Sequence, residues 1–499
     1  MSENLKFQKL YSEKKYTEII CLIENKKDEV EISNGLLNLL GVCKLLRREN
    51  DDLLSASSCF KRAYIKDKSS KIGLEALINY INTIAEIFDE KINHLSDNLI
   101  SKYINDAILL YEEAEKYFGF NEKLVLAIVR IYKRQNNLEK ILFYLEKLIN
   151  NKCANSRVLT SYIYRNCFSY KWKQEDFFSF GKILNTNLKK YPKEKLIDFK
   201  KNKNKKIRLA FLSSDIQKNH SITYFLKTVL KNYDKDKFEV SLIFNSNEND
   251  PTSTSCKLLC DQSINIKNLD DIDAINKIRD NCYDIIVDLM GVTSSNRLVL
   301  FKNRIAPMQV TWLGYCNTTG IDEMDYIIAD KNLIKKDETK LYSEKIIFLK
   351  SIWNSHSGLE VERVKSKPPL IKNNFVTFGS FNNYSKINDD VVRVWSKILR
   401  SIENSKLLLK SSIPIQTNNI KDLFKKYDVL DSVIFSKTIS FNEHLNLYNS
   451  IDIALDTFPY NGVTTSFESL WMGVPVLTMK GYNFNSRCGE SINKNLGMD

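Results

Sequence analysis

The chain has 499 residues, 43% hydrophobic and 27% charged, a composition typical of soluble globular proteins and a length beyond one ordinary core. No run stays apolar over the ~18 residues that cross a bilayer, and the start, MSENLKFQKLYSEKKY, has no hydrophobic signal core, so a cytoplasmic location is expected. The net charge of +13 comes from lysines interleaved with Asn, Ile and Glu, a compositional bias more than a nucleic-acid stripe, and the ten scattered cysteines form no C-x-x-C pair and no zinc spacing.

From residue 4 to about 190, apolar residues recur at three- and four-residue spacing, so a helical region is expected over 1–190. Gly41, Cys43, Ala56, Cys59 and Ala63 fall where two antiparallel helices would cross closely. The same alternation returns from Leu124 to Ile149, with Gln135 to Asn137 as the turn. These segments resemble two or three tetratricopeptide repeats, which bury their faces only by stacking; an irregular helical bundle is the competing reading. Residues 71–120 keep no clean period. A Lys-rich linker follows over 191–206.

The period then changes. IRLAFLSS, FEVSLIF, YDIIVDLMG, MQVTWLGY and MDYIIAD form one series of short β-rich runs alternating with helical stretches, and FVTFGSF, SKLLLKSS, SVIFSK, DIALDT and VPVLTM form another. Such alternation predicts parallel sheets covered by helices. Two Rossmann-like lobes are expected, 207–360 and 361–499, divided by a charged stretch with Pro368 and Pro369.

Candidate chemistry gathers where strands end. His220 follows the first predicted strand, at the edge where open α/β sheets bind ligands; a sugar contact, a proton-handling role and a helix cap are all open to it. Asp288 ends YDIIVDLMG beside Gly291, whereas Asp284 lies mid-strand. Trp312 to Gly320, WLGYCNTTG, is either a backbone cradle for ligand oxygens or a turn. In FGSFNNYSKIND a polar turn leads to Lys386, a compact ammonium suited to a diphosphate or a solvated surface charge. From Asp452 to Met479 the pattern reads strand, turn through Pro459 to Gly462, helix starting at Thr464 and Thr465, then strand. A helix start offers unpaired N–H groups and partial positive charge to a phosphate. Glu468 could then hold a sugar diol, or Thr465 and Glu468 could form an ordinary capping box.

The ordered blocks SSDIQKNHS, RIAPMQVTWLGYCNTTG, FGSFNNYSKI, EHLNLYNSIDIALDTFPYNGVTTSFESLWMGVPVLTM and SRCGES resemble the catalytic region of the O-GlcNAc transferase/SPINDLY family, over residues 207–499 and with helical repeats in front. The resemblance implies an α + α/β protein with a GT-B fold. It implies inverting, metal-independent transfer of a sugar, GlcNAc from UDP-GlcNAc, to Ser or Thr hydroxyls of a protein acceptor held by the repeats. It implies no cofactor beyond that donor. By similarity, Asn383 and Lys386 would meet the phosphates with Thr464 and Thr465, Glu468 the ribose, His444 the base, and His220 the sugar and acceptor.

The sequence departs from the family pattern at Ser221, Asp284, Val292, Val463 and Glu468, which leaves the catalytic base open among His220, Asp288 and a water chain. Relatives continue beyond the position of Asp499 through helices that pack back onto the lobes, so a fragment with exposed apolar surface is one expectation. The competing functions are a scaffold that binds partners through its repeats with impaired lobes, and a transferase using UDP-glucose, GDP-fucose or another acceptor.

Overall fold

Small residues decide where the first helices cross. In the computed structural model, which describes residues 3–26, 32–91, 95–191, 206–217, 220–359, 367–410, 414–437 and 440–498, helices Asn34–Arg47 and Asp52–Lys66 form an antiparallel pair. Gly41 sits so close to Phe60 that a Cβ there would lie 2.6 Å from the ring, so only glycine lets the axes approach. Ser33 caps the first helix by accepting the Leu36 N–H, and Arg48 ends it in the left-handed conformation at φ 64°. The pair Glu122–Gln135 and Leu138–Asn150 uses the same devices: Asn121 and Asn137 cap the two starts, and Asn136 turns the chain at φ 59°. Tyr132 and Tyr144 stack across that pair at 5.6 Å. Between the two hairpins lie helices Lys71–Lys91 and Asp97–Phe118, of 21 and 22 residues, whose length explains the lost period.

Two compact units result. Met1–Cys153 with Ile413–Asn419 form one, and Ala154–Ser412 with Ile420–Asp499 form the other. The helical stretch expected over 1–190 is thus divided, since helices Ser156–Asn166 and Gln174–Asn187 belong with the sheets. Gly181 and Gly320 meet backbone to backbone: a Cβ on Gly320 would lie 2.2 Å from the Gly181 Cα. Gln174 donates to the Asn317 side chain at 2.7 Å. The expected linker falls mostly on 192–205, and part of the expected boundary between the lobes on 360–366, both outside the described residues.

The first sheet contains β1 (Ile207–Ser213), β2 (Phe238–Phe244), β3 (Gln262–Asn265), β4 (Ile285–Asp288), β5 (Met308–Thr311), β6 (Tyr326–Asp330) and β7 (Lys345–Leu349). It is parallel throughout, in the order β3-β2-β1-β4-β5-β6-β7. The second contains β8 (Thr377–Ser380), β9 (Lys406–Lys410), β10 (Val433–Ser436), β11 (Ile453–Leu455) and β12 (Val476–Leu477), in the order β10-β9-β8-β11-β12. Sequence periodicity passes over β3 and β7. Both are edge strands, and β3, QSIN, carries one aliphatic residue and no buried one.

Strand order reverses between β1 and β4 in the first sheet and between β8 and β11 in the second. At such switch points successive loops diverge and leave a crevice at the carboxyl ends of the strands. The first lobe's core, with Phe211, Leu242, Val287 and Val310, also receives Phe484, Cys488 and Ile492. Helix Cys488–Asn495 therefore beds on the first lobe although it follows the second sheet in the chain. Arg487 secures it with two bonds to Glu338 at 2.6 and 2.7 Å.

Candidate active site

At the second sheet's switch point the chain leaves β11 into Asp456, which is 4% exposed. Its Oδ1 accepts the N–H groups of Thr457 and Gly462, at 2.8 and 2.6 Å, and its Oδ2 accepts the Thr478 hydroxyl at 2.7 Å. The loop 456–462 is folded around this carboxylate. Burial pushes its pKa up to about 6, against the pull of these hydrogen bonds and of Lys386. Gly462 is required because a Cβ would stand 2.5 Å from Thr465 Oγ1. Helix Thr464–Trp471 then starts without a side-chain cap, so its first N–H groups remain open to a ligand.

Lys386 reaches this turn from the loop after β8. Its Nζ donates to the Asn461 carbonyl at 2.9 Å and lies 4.6 Å from the centre of the Tyr460 ring. Burial lowers its pKa and the Asp456 charge opposes the shift. Tyr460 in turn stacks on Phe168 at 4.9 Å, and Asn388 donates to the carbonyls of both Phe168 and Phe458. Asn383 is exposed and accepts the Ser385 N–H, shaping the turn before Lys386. Thr465 donates to Asn382 at 3.0 Å.

The capping-box reading of Thr465 and Glu468 fails. Val463 occupies the cap position, and the buried Glu468 points instead to His444, whose Nε2 lies 3.1 Å from Oε2. Tyr448 donates to the same oxygen at 3.3 Å. His444 and Glu468, 24 positions apart, thus form one polar cluster beside Thr465, whose carbonyl Tyr448 also reaches at 3.2 Å. His444 Nδ1 is buried without a hydrogen-bond partner among the described residues.

The first-lobe candidates take different roles. Asp288, fully buried at the end of β4, accepts the N–H groups of Met290 and Gly291 at 3.0 and 2.8 Å. Burial raises its pKa to about 6. Both of its oxygens are occupied in shaping the turn, where Gly291, at φ 55°, lies against Tyr315. His220 caps helix Ser221–Asn232 through Nδ1, which accepts the Ile222 N–H at 3.4 Å, while Nε2 faces Asp215 Oδ1 at 3.8 Å. In WLGYCNTTG the two threonines are committed to the buried Glu344, which accepts from Thr318 Oγ1, Thr319 N and Thr319 Oγ1 at 2.7, 2.7 and 2.5 Å. That end of the loop is a pinned turn.

Lys386, Thr464, Thr465, Glu468 and His444 are therefore gathered along the β8/β11 crevice, and His220 and Asp288 along the β1/β4 crevice. The sequence pattern singles out neither Asp215, which lies inside the quoted block SSDIQKNHS, nor Tyr448, and it places Tyr460 only in the turn, since the roles of both tyrosines depend on contacts with residues distant in sequence. The donor groups at the β11 turn suit an anion. Among the described residues, no three His, Cys, Asp or Glu side chains are grouped as for a metal ion.

Two parallel-sheet lobes whose switch points carry these side chains define a GT-B glycosyltransferase. Glycosyl transferase family 41 matches residues 180–356 and 364–499, and the chain belongs to that family. The Arabidopsis thaliana protein named probable UDP-N-acetylglucosamine–peptide N-acetylglucosaminyltransferase SPINDLY is 32% identical over 308 residues, 58% of this chain and 33% of that protein. Its Oryza sativa subsp. japonica namesake is 32% identical over 326 residues, 62% of this chain and 34% of that protein. The Arabidopsis thaliana protein named SEC is 27% identical over 300 residues, 58% of this chain and 30% of that one. The matched region spans about a third of each of these relatives. Among solved structures, a lysine-to-methionine mutant of the Thermobaculum terrenum O-GlcNAc transferase superposes with a TM-score of 0.75 at 23% identity, over 90% of this chain and 83% of that one, a likeness of fold.

Proposed function

We propose that the chain transfers a sugar from a uridine diphosphate donor, GlcNAc from UDP-GlcNAc, to Ser or Thr hydroxyls of a protein acceptor presented by the helical repeats. The observation that carries this reading is the Lys386 ammonium, 2.9 Å from the Asn461 carbonyl, beside the uncapped start of helix Thr464–Trp471. A departing diphosphate at that point meets one cation, two threonine hydroxyls and the N–H groups of the first helical turn. Donors already aimed at the position where charge develops stabilise the transition state without reorganisation, so the leaving group is neutralised here without a divalent ion.

In this reading the acceptor oxygen attacks the anomeric carbon from the face opposite the diphosphate, and the configuration inverts. Glu468, oriented by His444 and Tyr448, accepts hydrogen bonds from the ribose. The names of the relatives, which include UDP-N-acetylglucosamine and a peptide, support both the donor and the acceptor class. The test is a thermal-shift screen with UDP-GlcNAc, UDP-glucose and GDP-fucose, followed by transfer of radiolabelled GlcNAc to a Ser/Thr peptide library. A ligand that binds only the folded protein raises its melting temperature by mass action. The largest shift is expected with UDP-GlcNAc, with label in peptide. Peptide labelling by another donor would reassign the sugar, and a protein that responds to none of the three would not be this enzyme.

A further inference from the structure

The first sheet's switch point holds a carboxylate that the readings above leave without a task. Asp215 follows β1 in the turn Ser213-Ser214-Asp215. Its N–H donates to Ser213 Oγ at 2.9 Å, and its Oδ1 accepts from Ser214 Oγ at 3.1 Å. The turn is held from the loop after β4, where Met290 Sδ receives the Ser214 N–H. Asp215 is partly open to solvent, with a side chain 21% exposed.

Its neighbour His220 has its nitrogens assigned by geometry. Nδ1 accepts the Ile222 N–H, so it carries no proton, and in the neutral ring the proton sits on Nε2, directed at Asp215. Neutral His220 then has no free lone pair with which to take a proton from a substrate hydroxyl. Asp288, the other carboxylate of the crevice, has both oxygens bonded to backbone N–H groups and is fully buried.

Beyond this crevice, the Tyr164 ring meets Tyr460 edge to face at 6.4 Å, and Tyr460 carries the Lys386 ammonium over its own ring. Resting on the glycosyltransferase reading above, we propose that Asp215, not His220, is the catalytic base that takes the acceptor-hydroxyl proton, with His220 as its positioning residue. The hydroxyl oxygen forms the new bond to the anomeric carbon as its proton passes to Asp215. The bond from that carbon to the diphosphate oxygen breaks, and its electron pair leaves with UDP. Asp215 then releases the proton to water, so donor and hydroxyl become glycoside, UDP and one proton.

Among the described residues, the charged and titratable groups that act on or are acted on by Asp215 are His220 at the cap of the following helix, Asp288 at the end of β4 and Tyr164 from helix Ser156–Asn166. Burial raises the Asp215 pKa, and His220 pulls it down. The test measures UDP release from UDP-GlcNAc with a Ser/Thr peptide library across pH, beside UDP binding by calorimetry, for the full chain and two variants. Asp215→Asn should bind UDP as wild type does and lose roughly 10²–10⁴ in kcat, the usual range for a general base. His220→Asn keeps a side-chain oxygen for the Ile222 N–H, so it should lose less than tenfold and move the acid limb of the rate profile to higher pH. If His220→Asn abolishes turnover while Asp215→Asn merely shifts the limb, the assignment is wrong and histidine is the base. If Asp215→Asn is misfolded by circular dichroism, the direction of the limb shift in His220→Asn still decides. A wild-type chain that binds UDP but releases none on incubation with donor and peptides overturns the transferase reading, and this assignment with it.

Discussion

Replacing Lys386 by Ala isolates the electrostatic element on which the proposed chemistry rests. A full charge about 4 Å from a phosphate oxygen, at an effective dielectric of ~20, is worth about 4 kcal/mol. Lys386 is half-buried and already donates to the Asn461 carbonyl at 2.9 Å, so part of that gain is offset by solvent and by the bond it must share. About 2 kcal/mol remains, and UDP affinity should fall roughly 30-fold. Isothermal titration at fixed ionic strength measures this, with uridine as the internal control. Uridine has no phosphate and should bind wild type and variant alike. A variant that binds UDP within twofold of wild type would refute the placement of the diphosphate at the Gly462 turn.

Three further outcomes follow from the geometry. Glu468→Gln removes the carboxylate that His444 and Tyr448 share, and should cost about 1–3 kcal/mol, read as a fall in melting temperature with weaker UDP binding; an unchanged melting temperature would mean that the cluster is not structural. Gly320→Ala forces a Cβ to within 2.2 Å of Gly181 at a φ of 77°, and should cost at least about 2 kcal/mol in a urea titration, whereas Gly119→Ala, at φ 67° with open space around it, should cost less. Asp456 and Asp288 have folded-state pKa values raised to about 6, above the unfolded value near 3.9, so the native state holds their protons more tightly. Their stabilising contribution is complete below about pH 4 and is lost as pH rises through about 6; Asp456→Asn can keep all three hydrogen bonds and should lessen that loss in urea midpoints measured from pH 4 to 8.

Local patterns were legible where a residue's neighbours in sequence are also its neighbours in space. The β11 strand, the turn to Gly462 and the helix starting at Thr464 follow from an apolar run, a Pro-Tyr-Asn-Gly cluster and two threonines, and the hairpin at Asn136 follows from polar residues between two amphipathic runs. Two things escaped this reading. Edge strands such as QSIN bury too little to carry a periodic signal. The partner of a polar side chain is chosen by topology: Glu468 meets His444 and not its own helix start because the crossover from β10 to β11 brings helix Phe441–Asn446 alongside. In the same way Glu344 takes both threonines of WLGYCNTTG from 25 and 26 positions away, which spacing could not foretell.

The return of helix Cys488–Asn495 to the first lobe means that the polypeptide passes between the lobes twice. A single backbone cut after Leu359 would leave two fragments still clasped through the Arg487–Glu338 ion pair and the apolar anchors Phe484, Cys488 and Ile492. Val463, Phe467 and Leu470, on and beside helix Thr464–Trp471, also pack against the first lobe's core, so the helix whose uncapped start faces Lys386 is bedded on the same lobe that carries Asp215.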